Sequence, residues 1–183
     1  MRLPVELAHA YRLLNHGPTT LISAAHGGVQ NVMAAAWVMP LDFEPPKVLA
    51  VIDKQSFTRS LIDASGEFAL SLPSRELAAA TVNAGSSSGR DGDKFASSGL
   101  QPFKAQEIAA PLIDGCLAWL ECRVIAEPAN QQRYDLFIAE VVAAWADSSV
   151  FADGHWLMAP DTRHTIHYVA GGRFFETGAA FDV

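Results

Sequence analysis

Lys54, Ser56, Thr58 and Arg59 bring two cations and two hydroxyls together where a short apolar run ends and a helical pattern begins. The first N–H groups of a helix lack intrahelical acceptors. With charge-assisted donors beside them, they read as a seat for a phosphate. Upstream, Asn31 precedes the small run Ala34, Ala35 and Ala36, followed by Trp37 and Val38. Strand positions favour branched and aromatic side chains, so three alanines there are unusual. Small side chains would let a flat ligand lie close against the backbone. A flat ring over one strand and a phosphate beyond the next describe a mononucleotide.

A second polar stretch, AGSSSGRDGDKF over residues 84–95, offers Ser86, Ser87, Ser88, Arg90 and Lys94 as donors. A surface loop and a phosphate-cradling loop are both open readings. The acidic spacing of a calcium loop is missing, and no GK[ST] follows the glycines, which excludes a P-loop. The tail from Pro160 carries His164, His167 and Tyr168 before a double glycine. Two histidines three apart would share one face of a helix, but no third ligand accompanies them, so no metal is expected. A GxSxG elbow is lacking, which argues against a Ser-His-Asp hydrolase. The tail histidines read as structural, with a substrate-facing role as the other reading; His9 and His16 read as solvent-facing and His26 as a turn residue.

The elements that must position these groups follow from periodicity and punctuation. Helical spacing covers residues 5–15 and ends at His16-Gly17-Pro18. Residues 19–25 and 31–38 read as strands of a hairpin around Gly27-Gly28, and residues 47–52 as a further strand. Pro40, Pro45 and Pro46 cannot donate ladder bonds, so the segment between is expected outside the sheet. A helix over residues 58–64 stops at Ser65-Gly66, and residues 67–72 alternate as a strand. Ser74 is the expected N-cap of a helix over residues 75–83. Residues 115–127 and 135–146 read as a long hairpin joined at residues 128–131, with Glu121 and Arg123 on one face. Trp119 and Trp145 are expected in the core or at an interface.

The chain of 183 residues is 50% hydrophobic and 18% charged, the size of one domain. Its slight apolar excess points to an additional buried surface such as a dimer interface. A net charge of −7 and a pI near 5.2 argue against nucleic acid. The N-terminal residues lack a signal-peptide core and no run approaches membrane-spanning length, so a cytoplasmic protein without membrane contact is expected. Cys116 and Cys122 read as buried free thiols, since no CxxC spacing occurs and a same-strand pair this far apart cannot bridge.

The order of these pieces resembles the flavin reductase-like family, with the flavoredoxin group as the nearest likeness within it. The residues that carry it are Asn31-Val32-Met33, Trp37, Pro40, Phe43, Pro45-Pro46 and Thr58. They continue through Ser65-Gly66-Glu67-Phe68, Ser88-Gly89-Arg90-Asp91, Asp93-Lys94-Phe95, Ala110-Pro111-Leu112, Leu120-Glu121-Cys122-Arg123 and Glu140-Val141-Val142. The likeness spans about residues 15–160, leaving residues 161–183 as a tail packing on the flavin or on a partner subunit. It implies a mostly β fold with peripheral helices, an FMN-binding split β-barrel of Greek-key-like antiparallel strands in a single domain. It also implies FMN, or alternatively FAD, as cofactor, NADH or NADPH as co-substrate, and a homodimer serving an electron acceptor or a partner oxygenase. Mapped on this resemblance, Asn31 and residues 34–38 line the isoalloxazine. Lys54, Ser56, Thr58 and Arg59 hold the phosphate, and the loop from Ser86 to Lys94 closes over the ribityl-phosphate arm. Tyr134, His164 and Tyr168 face the substrate. Hydride transfer to a flavin requires no general acid or base, so no catalytic side chain is assigned. In one departure, Tyr134 stands where many family reductases carry a histidine associated with nicotinamide. The expected activity is FMN-dependent oxidoreduction; a non-catalytic FMN-binding protein is the alternative.

Overall fold

The computed structural model describes residues 1–157, 159, 161–181 and 183; Pro160, which opens the tail, lies outside them. The chain begins with a short strand, β1 (Arg2–Pro4), and a 3-10 helix (Leu7–Leu13) that buries Ala10 and Leu13. The helical spacing over residues 5–15 is thus realised as a shorter, tighter helix. β2 (Thr20–His26) and β3 (Val29–Ala35) form a hairpin turned by Gly27 and Gly28, at φ 59° and 81°. Two successive left-handed residues match the twist of paired strands, and glycine adopts them without strain.

β4 (Val38–Phe43) begins two residues later and pairs with β5 (Pro46–Val51). The expectation that the prolines take this segment out of the sheet is incorrect. β4 is an edge strand, where a missing donor on the outer side breaks no ladder bond, and Pro46 stands first in its strand. The expected strand over residues 31–38 likewise ends at Ala35, and Ala36 and Trp37 make a corner. α1 (Phe57–Ser65) is capped by Ser56, whose Oγ accepts the Arg59 N–H at 3.1 Å, and stopped by Gly66 at φ 71°. β6 (Glu67–Leu72) has the bounds its alternation predicts.

A 3-10 turn (Arg75–Leu77) leads into α2 (Ala78–Ser86). Ser74 does not cap that helix: its hydroxyl donates to the Glu76 carboxylate instead. α3 (Lys94–Ser98) is a single turn whose Asp93 cap accepts the N–H groups of Phe95 and Ala96. The short strands β7 (Pro102–Phe103) and β8 (Leu112–Ile113) pair with each other. β9 (Ala118–Ile125) and β10 (Leu136–Asp147) pair antiparallel, but a helix, α4 (Pro128–Tyr134), replaces the expected loop. It carries Pro128 in its first turn and ends on Asp135 at φ 57°. Two small hairpins complete the tail, β11 (Phe151–Ala152) with β12 (His155–Trp156), and β13 (Ile166–Ala170) with β14 (Arg173–Glu176). His167 lies on β13 and His164 precedes it, so the pair shares no helix face.

Among the described residues, eight strands form one sheet along the path β3-β2-β6-β9-β10-β5-β4, with β1 added to β10. β3 and β4, at opposite ends of that path, are consecutive in the chain with only Ala36 and Trp37 between them. The sheet must therefore curl until its ends meet, giving a mostly β barrel split at that corner. Alternation along its strands divides the core in two. Ile22, Phe68, Leu70, Leu120 and Phe137 fill the interior. Leu21, Ala69, Leu112 and Trp119 pack outside, under α2 and α3. Trp119 is thus a core residue, while Trp145, its cross-strand partner, is half-buried. Cys116 and Cys122 are buried free thiols, and burial pushes both pKa values up.

Glu121 and Arg123 do share a face, and both address residues 106 and 107. The fully buried Glu121 carboxylate accepts the N–H groups of Gln106 and Glu107 and the indole N–H of Trp145. Arg123 Nη2 donates to the Glu107 carbonyl at 2.7 Å.

Candidate functional site

The split in the barrel opens into a cavity of about 750 Å³. Its first wall is the corner itself, from Met33 through Ala34, Ala35 and Ala36 to Trp37. α2 supplies a second wall with Thr81, Val82, Gly85 and Ser86. A Cβ on Gly85 would stand 3.2 Å from that of Ala34, so small residues on both sides allow the helix to sit close on β3. Val51 at the end of β5 and Asp53 just beyond it also line the cavity. The β13–β14 hairpin contributes Tyr168, Gly171, Gly172 and Phe174, and Thr19 joins it at the base. Volume and apolar character are those of a small-molecule site.

Beside the cavity, the polar loop meets the start of α1. A Cβ on Gly89 would lie 2.4 Å from Asn31 Oδ1 and 2.6 Å from Phe57 Cδ1, which no side chain could occupy. Arg90 Nη1 donates to the Gln55 carbonyl at 2.8 Å, with its guanidinium 5.5 Å from the Phe57 ring. The buried Asn31 Nδ2 donates to Thr58 Oγ1 at 2.9 Å. The two stretches that the sequence marks as phosphate-like thus fold against each other around the first turn of α1.

 These two stretches are residues 54–59 and the loop over residues 84–95. First-turn N–H groups, a guanidinium and several hydroxyls converge there.

The structure therefore brings Ala34, Ala35, Ala36, Trp37, Ser86 and Tyr168 to the cavity, and gathers Asn31, Ser56, Thr58, Ser88 and Arg90 around the α1 start. Ser87 caps the end of α2, its hydroxyl donating to the Asn83 carbonyl at 3.2 Å. Lys54 is exposed at the rim, with Nζ 3.6 Å from Asp135 Oδ1. Val38 belongs to the barrel core. Lys94 is buried, and desolvation lowers its pKa.

Arg59, Tyr134 and His164 sit apart from the roles that the family resemblance implies, and His164 follows the structural reading of the tail histidines. Arg59 is a structural tie: Nε donates to Asp63 at 2.9 Å, Nη1 to the Ile52 carbonyl at 2.9 Å and Nη2 to the Gln131 carbonyl at 3.1 Å. Its guanidinium is engaged in joining α1 to α4 over the Phe137 ring. Tyr134 lies exposed at the end of α4, outside the cavity lining. His164 is buried, with Nε2 2.7 Å from the Ala159 carbonyl and Nδ1 on that of Thr177. His16 also departs from its solvent-facing reading. It packs edge-on against Trp156 and His167, with Nε2 2.8 Å from Thr165 Oγ1. Burial, and then the neighbouring His167, lower its pKa to about 4.

Sequence reasoning missed Met33, Val51, Asp53, Thr81, Val82, Gly85 and Phe174 as lining residues. The double glycine before Phe174 is the signal that could have found the hairpin, since Gly171 and Gly172 both adopt positive φ at its turn.

The sequence model of the family described as "Flavin reductase like domain" matches residues 12–167. Protein YddH of Escherichia coli (strain K12) is 44% identical over 179 residues, covering 96% of this chain and 95% of that protein. The crystal structure of an FMN-binding domain of a flavin reductases-like enzyme from Shewanella baltica OS155 is similar at 47% identity and a TM-score of 0.97, covering 100% of this chain and 97% of the other. Flavoredoxin of Desulfovibrio vulgaris (Miyazaki F) is similar at 26% identity and a TM-score of 0.79, covering 91% of this chain and 90% of its own.

Proposed function

Because the chain belongs to the flavin reductase-like domain family, we propose that it is an FMN-dependent oxidoreductase. It passes hydride or electrons from NADH, NADPH or another donor to an acceptor, to free flavin or to a partner oxygenase. The observation that carries this reading is the joining of an apolar, small-residue cavity to a polar helix start. A flavin asks for those two environments side by side, an apolar slot for the ring and fixed donors for a phosphate. The 47% identity to a protein described as FMN-binding supports the same choice, with FAD as the alternative.

On this reading Ala34, Ala35 and Ala36 leave room for the ring beside the backbone, and Trp37 shields its edge. The α1 amides, Ser56, Ser88, Arg90 and Lys54 hold the phosphate, while Gly89 lets the loop close on Asn31 without a clash. Arg59 acts indirectly, by fixing the helix that carries those amides. FMN supplies the redox chemistry when bound, and the protein binds, orients and excludes water. No side chain is assigned a proton to move.

A homodimer completes the proposal. Trp37, Met39, Leu41 and Phe43 are all exposed along the corner and edge strand β4, a row that a second copy would cover beside the cavity mouth. No helix among the described residues is long and apolar enough to cross a membrane, and we assign the activity to the cytoplasm.

Tyr134 favours a second reading, a non-catalytic FMN-binding protein serving as electron carrier, sensor or flavin store. It stands outside the cavity lining, at the position where the resemblance places the nicotinamide-associated histidine of many family reductases. An absorption spectrum of the FMN-loaded protein, followed by anaerobic titration with NADH and NADPH, decides between the two. Rapid bleaching of bound flavin is the expected result and identifies the donor. Bleaching by dithionite alone supports the carrier, and no flavin binding overturns both readings.

A further inference from the structure

Among the described residues that line the cavity, Asp53 alone carries a charge; no lysine, arginine or histidine takes part. The wall furthest along the chain is aromatic. Tyr168 and Phe174 are cross-strand partners on β13 and β14, packed edge to face with centroids 5.3 Å apart at 62°. Tyr168 is 45% exposed, so part of its ring is uncovered by the chain. The base of this hairpin is fixed: Thr19 N–H donates to the Ile166 carbonyl at 2.7 Å, and Tyr168 N–H to Thr19 Oγ1 at 2.8 Å. The match to the family ends at residue 167, immediately before this wall.

We propose that Tyr168 and Phe174 form a second ligand subsite that takes an uncharged, flat conjugated ring, such as an aromatic ketone, and turns away anionic rings. The proposal rests on flavin binding along the alanine wall of the same cavity. Its volume of about 750 Å³ exceeds what one tricyclic ring fills. The uncovered part of the Tyr168 ring, backed by the half-buried Phe174, presents an apolar surface to which a second ring can stack. A carboxylate there would lose water, share the cavity with the like-charged Asp53 and find no cation among the described lining residues. An uncharged carbonyl compound loses far less hydration and meets no like-charge repulsion.

The test uses FMN-loaded protein titrated with acetophenone and, separately, with benzoate, a ring of similar size bearing a charge. Acetophenone should perturb the visible flavin band saturably, and benzoate should bind at least about tenfold more weakly. Asp53→Asn should narrow that gap by about threefold or more. The double variant Tyr168→Ala, Phe174→Ala should weaken acetophenone by about tenfold while its spectrum still reports bound flavin. Equal binding of the two probes overturns the proposal, as does an unchanged flavin band or a double variant that binds acetophenone as the parent does. Protein that shows no flavin spectrum after loading overturns the flavin reading and this subsite together. A normal flavin spectrum that ignores acetophenone overturns the subsite alone.

Discussion

His16 Nε2 lies 2.8 Å from Thr165 Oγ1, and this contact joins residues 149 apart in sequence. Thr165 Oγ1 is 2.7 Å from Thr177 Oγ1, which is 2.7 Å from His167 Nε2, and His167 Nδ1 is 2.9 Å from the Gly17 carbonyl. With both rings neutral, the hydrogens assigned from this network run one way. His16 donates to Thr165, Thr165 to Thr177, Thr177 to His167, and His167 to Gly17. The arrangement links the β13–β14 hairpin to the turn before β2.

The relay makes stability depend on pH. Burial lowers the His16 pKa to about 4 from its ordinary 6.5, so between those values the unfolded chain binds more protons than the folded one. The His16 contribution should be complete above pH 6.5 and fall as pH drops toward 4, by an amount on the order of 3 kcal/mol. Urea unfolding across that range should show the slope, and His16→Gln should flatten it. A parent protein with no slope there would contradict the buried, neutral assignment.

His164 acts in the opposite sense. Hydrogen bonds to the carbonyls of Ala159 and then Thr177 raise its pKa, because both nitrogens must carry a proton to donate to both. Its contribution is present below pH 6.5 and is lost as pH rises through the higher folded value. The ring-proton NMR titration of His164 should have its midpoint above the ordinary 6.5, and a midpoint below that would refute the assignment.

Gly89→Ala should weaken FMN binding by about tenfold or more, because its Cβ would overlap Asn31 and Phe57 and lift the loop from the start of α1. Flavin fluorescence quenching on titration measures this. Unchanged affinity would separate the loop from the phosphate seat.

Leu41→Glu on the exposed edge strand should convert a dimer to a monomer, read by light scattering during size exclusion. The melting temperature of the isolated monomer should show that the barrel survives. A dimer that persists would move the interface elsewhere.

Glu121→Leu should cost about 2 kcal/mol or more, since it leaves the amides of Gln106 and Glu107 and the Trp145 indole N–H without their shared acceptor. Chemical unfolding reads the loss, and a change below about 1 kcal/mol would show that water replaces the carboxylate.

Local signals account for much of what was legible in the sequence. Ser56 and Gly66 bound α1, Gly27-Gly28 turns the first hairpin, and the alternation of residues 67–72 is a strand buried on both faces. Edge position is not a local property, and so Pro40 could sit in β4 although its type argues against a strand. The same holds at the site. Three successive alanines mark the cavity wall, but the type of Arg59 cannot reveal that Asp135 and the Gln131 carbonyl, more than 70 residues on, already engage it. Phe174 and Asp53 join the cavity only through the curl of the barrel and the return of the tail.

β10 pairs with its neighbour β9, but also with β5 and with β1 at the start of the chain. During synthesis, β5 leaves the ribosome 85 residues before β10 begins. At about 5–20 residues per second, that is a wait of roughly 4 to 17 seconds in which β5 has no inner partner. The apolar row on β4 hangs from the same half-paired strand throughout. The spacing of β5 and β10 therefore sets how long the nascent chain must be shielded from its neighbours on the same message.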